Sequence, residues 1–123
     1  MTSLPYLHQL IRVSIVASLT ILGSAKTAIA QDRSLWLRNN SRATLTGYFL
    51  QNEDIFAFCD EDCKDIDLFL YSPQGRLIDS DDATDAFPIV TAPYDGNFIV
   101  EVTLPSCTHS AGCAVNVSSD FGF

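Results

Sequence analysis

The sequence predicts an all-β fold, a single antiparallel β-sandwich of two sheets. Three observations carry that expectation. No stretch after residue 30 has a helical apolar period. Short runs rich in β-branched and aromatic residues recur instead. Turn sequences such as Ser72-Pro73-Gln74-Gly75 and Pro93-Tyr94-Asp95-Gly96 separate them.

The chain begins with a segment of the export type. Arg12 supplies the positive end, Val13 to Leu22 an apolar run, and Ala28-Ile29-Ala30 the small-x-small pattern of a signal-peptidase site. Lys26 interrupts the apolar stretch too early for a membrane span of about 20 residues. The expected layout is therefore a signal peptide over 1–30, cut before Gln31, and one domain over 31–123. The domain is expected in the periplasm or outside the cell, with no membrane partner after cleavage.

The expected strands follow in order. Residues 34–38 form a short first strand and 43–50 a second, closed by the polar turn Gln51-Asn52-Glu53-Asp54. Residues 55–59 are β-branched and aromatic. Residues 65–71 alternate, with Ile66, Leu68 and Leu70 on one face. In the turn that follows, Pro73 presets φ and Gly75 relieves the end, and residues 76–80 return. Residues 87–91 read as an edge strand, because Pro88 has no N–H to give a ladder. Residues 97–104 bury Phe98, Val100, Val102 and Leu104, and 114–118 bury Val115 and Val117. The expected core is Phe56, Phe58, Ile66, Leu68, Leu70, Ile89, Phe98, Val100, Val102 and Val115. The tail Phe121-Gly122-Phe123 is expected to be loose.

A domain of roughly ninety residues buries a thin core and needs help. All four cysteines lie after residue 30, and an even count in an exported chain reads as two disulfides. Three pairings are open. Cys59 and Cys63 bracket one short polar segment between strands, and Cys107 and Cys113 bracket another, so local reversals favour Cys59–Cys63 and Cys107–Cys113. Structural zinc is disfavoured because neither spacing, C-x3-C or C-x5-C, is a C-x2-C knuckle. Thioredoxin-like redox chemistry is disfavoured on the same spacing.

The chain carries 15 acidic against 7 basic residues, a net charge of −8, and loses Arg12 and Lys26 with the signal. Nucleic acid and anionic membrane surfaces are thereby excluded as partners, while cations and basic surfaces are not. The densest acids lie in Cys59-Asp60-Glu61-Asp62-Cys63-Lys64-Asp65-Ile66-Asp67. One reading is a disulfide-pinned loop. The other is a calcium site built from Asp60, Glu61, Asp62, Asp65 and Asp67, since calcium takes six to eight oxygens. Asp79, Asp81, Asp82 and Asp85 would lie nearby if the hairpin brings them round.

Catalysis has little to work with. After cleavage His109 is the last histidine, and Ser106 and Ser110 beside it in a cysteine loop do not make a triad. A thin sandwich also leaves little room for the cleft that a carboxylate-pair glycosidase requires. Asn39-Asn40-Ser41 and Asn116-Val117-Ser118 are N-x-S sequons, of consequence only in a host that glycosylates them.

Cys-Asp-Glu-Asp-Cys-Lys-Asp-Ile-Asp-Leu-Phe-Leu, Ser-Pro-Gln-Gly-Arg-Leu-Ile, Asp-Ala-Phe-Pro-Ile-Val and Ala-Pro-Tyr-Asp-Gly-Asn-Phe-Ile-Val-Glu-Val together resemble the bacterial pre-peptidase C-terminal domain family, in a cysteine-containing branch. The resemblance covers residues 43–118. It implies a jelly-roll-like β-sandwich, attached to secreted peptidases or standing alone. Related collagen-binding modules bind calcium through a preceding acidic segment that has no match here. Phe98 stands where the family has Tyr.

The expected function is that of an exported, non-catalytic binding or accessory module for a protein or polysaccharide, not an enzyme and without a cofactor. A calcium-stabilised structural domain is the alternative. A small hydrolase or enzyme inhibitor comes third.

Overall fold

The computed structural model describes residues 33–123. The signal-peptide reading and its cleavage point lie outside them. Eight strands run in order: β1 (Arg33–Leu37), β2 (Arg42–Phe49), β3 (Asp54–Cys59), β4 (Cys63–Tyr71), β5 (Leu77–Asp81), β6 (Ile89–Thr91), β7 (Gly96–Cys107) and β8 (Cys113–Ser119). They form two four-stranded sheets, a front sheet of order β1-β8-β3-β6 and a back sheet of order β2-β7-β4-β5. Every pairing is antiparallel. This is the eight-stranded, double-sheet jelly roll.

The core follows from alternation. Phe98, Val100, Val102 and Leu104 of β7 are buried, as are Ile66, Leu68 and Leu70 of β4 and Val115 and Val117 of β8. Register pairs Leu68 with Val102 and Leu70 with Val100, so the two central strands of the back sheet present one apolar surface. The β4–β5 turn forms as its sequence dictates. The Gly75 N–H donates to the Ser72 carbonyl at 2.8 Å, and the Arg76 N–H to Ser72 Oγ at 3.1 Å. Gly75 sits at φ 88°, a conformation that a Cβ disfavours.

Three expected core residues are on the other face. In β3 it is Ile55 and Ala57 that are buried, while Phe58 is exposed and Phe56 half-buried. Ile-Phe-Ala-Phe alternates equally well either way, and the pairing of Ala57 with Val117 sets the inward face. Ile89 is exposed and Val90 buried for the same reason. β6 is the edge strand that Pro88 requires.

The tail is not loose. The Phe123 ring packs 5.0 Å from that of Phe49, under the Arg33 guanidinium at 4.5 Å. Gly47 makes the room, since a Cβ there would lie 2.5 Å from the Phe123 ring. The edge strand is tied across the sandwich by carboxylates. The Thr91 N–H donates to Asp79 at 2.9 Å and the Ile89 N–H to Asp81 at 3.0 Å, so two β5 side chains satisfy amides of β6.

The reversed face of β3 has a measurable consequence. Ile55→Ala should lower stability by about 2–4 kcal/mol, the usual cost of emptying a packed site. Phe58→Ala, three residues away, should cost less than about 1 kcal/mol. Chemical denaturation of the two variants checks the order, and the reverse order would contradict the orientation.

Candidate functional site

The two disulfides form as the local pairing expects, Cys59–Cys63 with Cα atoms 5.9 Å apart and Cys107–Cys113 at 6.1 Å. They lie together at one end of the sandwich, because Cys63 opens β4 directly opposite Cys107, which closes β7. The loops are stitched to each other. The Asp62 carbonyl accepts from the Thr108 N–H at 2.8 Å and from its hydroxyl at 3.1 Å.

Glu61 is exposed, but Asp60 turns in: one oxygen accepts the Asp62 N–H at 3.1 Å and the other the Ala114 N–H at 2.8 Å. These are amides that the loops leave without a ladder partner. His109 serves its own loop, its Nδ1 accepting the Ala111 N–H at 3.1 Å. No serine or acid is bonded to it among the described residues. Over this loop lies Trp36, whose indole N–H donates to the Ala111 carbonyl at 2.7 Å. Gly112, at φ 117°, passes beneath the ring, and a Cβ there would meet both Trp36 Nε1 and the Leu37 carbonyl at 2.7 Å.

Most other acids are engaged by the backbone. Besides Asp79 and Asp81, Asp85 accepts the Phe87 N–H at 2.9 Å. Buried Glu53 accepts the Leu50 N–H at 2.8 Å and the Ser119 hydroxyl at 2.6 Å. Two of the expected cation ligands behave differently. Asp65 and Asp67 share the outer face of the back sheet, and the buried Oδ1 of each is reached by no N–H or hydroxyl, so the two carboxyls have one another as partners. Thr103 Oγ1 is 3.5 Å from the other oxygen of Asp67, and Asp82 is close enough to add its charge. Among the described residues no three His, Cys, Asp or Glu side chains enclose a metal ion.

Burial, with the residue 8% exposed, is the largest cause that raises the Asp67 carboxyl to about 6. The charge of Asp65 comes next, then a hydrogen bond to it and the charge of Asp82; the Thr103 hydroxyl opposes them. Between about pH 4 and 6 the folded protein therefore holds more of the Asp67 proton than the unfolded chain does.

The outer face of the front sheet is apolar in a way that sequence reading missed. Trp36 is 59% exposed, Phe87 53%, Ile89 42% and Phe58 37%. Phe56 joins them, its ring 5.9 Å from that of Phe87. Register places Phe58 beside Asn116 and Asn116 beside Ser34, with Trp36 and Ala114 in the next row. Short side chains therefore separate large exposed ones. The available signal was Trp36 itself, since Leu35 and Leu37, turned toward the core in a strand, force the residue between them outward.

Two outcomes follow. Stability should fall as pH rises from about 4 to 6, because the folded state holds the extra proton in that window. Asp67→Asn should flatten the profile and gain on the order of 1–2 kcal/mol at pH 7, allowing for solvent screening at the sheet surface. Melts across pH check the sign. Asp60→Ala should cost about 1–3 kcal/mol by stranding two amides, and should speed hydrogen exchange at Ala114.

No family model matches the chain, and no curated protein matches it. Among solved structures it is similar to PliG of Aeromonas hydrophila, a periplasmic lysozyme inhibitor of g-type lysozyme. The identity is 14%, the match covers 80% of this chain and 93% of that one, and the TM-score is 0.49. An overlap of that looseness assigns no activity.

Proposed function

We propose that this chain is an exported, non-catalytic binding module that engages an extracytoplasmic protein or polysaccharide through the outer face of the front sheet. The supporting observation is the exposure of Trp36, Phe58, Phe87 and Ile89 on the outer side of the front sheet. Large apolar side chains exposed on one side of a small domain mark an interaction site. Aromatic rings supply contact area at low entropic cost and stack on protein or sugar alike. Ser34, Ala114 and Asn116 between them give a partner room to approach.

The acidic composition favours a basic partner, because complementary charge speeds encounter. Two disulfides among the described residues fit an oxidising compartment. Location in the periplasm or outside the cell belongs to this proposal, as does membership of the pre-peptidase C-terminal family.

Trp36 is the sole tryptophan, so its emission reports contact directly. The protein should retain a partner from the host envelope, and that partner should shift Trp36 emission. Trp36→Ser and Phe58→Ser should weaken retention at least about tenfold, a hot-spot effect. Tyr48→Ala, which removes an exposed ring from the back sheet, should leave it unchanged. Equal losses at Tyr48, or none at Trp36 and Phe58, would contradict the reading.

A further inference from the structure

We propose that two copies of this chain associate through β1, paired antiparallel about Leu35, so that their front sheets run on as one. The interface is the edge of the front sheet rather than its face, and its failure would leave the front-sheet reading intact.

A sheet edge presents unpaired N–H and C=O groups, and folded proteins cover or block them. The edges here are β1 and β6 of the front sheet and β2 and β5 of the back sheet. On β6, Asp79 and Asp81 take the Thr91 and Ile89 N–H groups. On β5, Asp79 Oδ1 accepts the Ser80 N–H at 2.9 Å. On β2, the Arg33 guanidinium donates to the Thr46 carbonyl at 3.3 Å. The backbone of β1 has no such cover among the described residues.

The groups that β1 leaves open follow from β8. The Ala114 carbonyl accepts the Asp60 N–H at 3.1 Å and the Ala114 N–H donates to the Asp60 carboxylate, so both face the β3 side. Backbone groups alternate along a strand, which turns those of Cys113, Val115 and Val117 toward β1. Their partners there are Leu37, Leu35 and Arg33. Ser34 and Trp36 therefore aim their N–H and C=O groups out from the sheet edge.

A second copy matches this edge. With Leu35 on the two-fold axis, Ser34 of one copy lies opposite Trp36 of the other, and each such pair exchanges both of its N–H···O bonds. On the outer face the small Ser34 side chain then leaves room for the exposed Trp36 ring of the second copy. On the inner face Leu35 meets Leu35, where the core is least covered: Leu35, and Ala43 and Leu45 of β2, are only partly buried. Charge favours the same side. Residues 33–52 contain no Asp or Glu, so two acidic chains approach here with least repulsion.

Sedimentation of the purified, disulfide-bonded protein, from about 1 µM to about 1 mM, tests the proposal, because association follows mass action. The average mass should rise to that of two copies and stop there, since pairing consumes the open edge. Ser34→Pro removes an outward N–H at an edge, where proline is tolerated, and should remain one copy throughout with its melting temperature kept. Ser34→Ala keeps the N–H and should still pair, as should Thr46→Pro on the β2 edge. Amide exchange at Ser34 and Trp36 should slow at least about tenfold between the dilute and concentrated protein, while Leu35, already bonded to β8, should not change. This readout decides the matter if Ser34→Pro fails to fold. A single copy at every concentration, pairing that survives Ser34→Pro or is lost in Thr46→Pro, or exchange at Ser34 and Trp36 that ignores concentration overturns the proposal.

Discussion

The register between β4 and β7 is the constraint on which the rest of the molecule depends. Leu68 lies opposite Val102 and Leu70 opposite Val100. Because side chains alternate with a period of two, a slip of β4 by one residue would drive Asp67 into the core and expose Ile66, Leu68 and Leu70. The same register sets Cys63 against Cys107, which is why two sequence-local disulfides end as neighbours. It also sets Asp67 against Thr103 on the outer face, where burial and Asp65 disfavour its charge.

The abundant carboxylates then divide by what they face. Asp79 and Asp81 point toward the sandwich opening and accept amides of the edge strand, closing a side that would otherwise present free donors. Glu53, accepting the Phe121 N–H, and Asp60 perform the same service for the chain end and the disulfide loops. Much of the acidity is therefore structural, a set of acceptors for backbone N–H groups in a domain with many loops. The Asp65–Asp67 pair and the exposed Glu61 stand outside that scheme.

Long alternating strands were legible in the sequence, and so were the turns that join them. Ile66-Leu68-Leu70 and Phe98-Val100-Val102-Leu104 admit one inward face, and Pro88 admits one kind of position. Local disulfide pairing was legible for a related reason, since a short reversal brings its own ends together. The short run Ile55-Phe56-Ala57-Phe58 was not. Either face can be apolar, and the larger rings are the natural choice until Ala57 is seen opposite Val117. Phe123 required knowledge that Gly47, 76 residues earlier, leaves space for its ring. Asp60 reaches Ala114, a contact 54 residues away that no local pattern encodes. Of the candidate cation ligands, the pairing of Asp65 with Asp67 was visible in D-x-D spacing, while the role of Asp60 and the burial of Asp67 were not. The exposed aromatic face appears only when β1, β3, β6 and β8 are assembled, because its members are scattered from Trp36 to Ile89.

The front sheet, rather than the back sheet or the disulfide loops, is proposed to meet a partner. Site-specific photo-crosslinking in the producing cell tests it most directly. A benzophenone side chain is placed at Phe58 or Phe87 on the front sheet, at Tyr48 or Ser80 on the back sheet, and at Glu61 in the disulfide loop. A discrete adduct is expected from the two front-sheet positions and none from the other three. Adducts from Tyr48, Ser80 or Glu61 with none from Phe58 and Phe87 would contradict it.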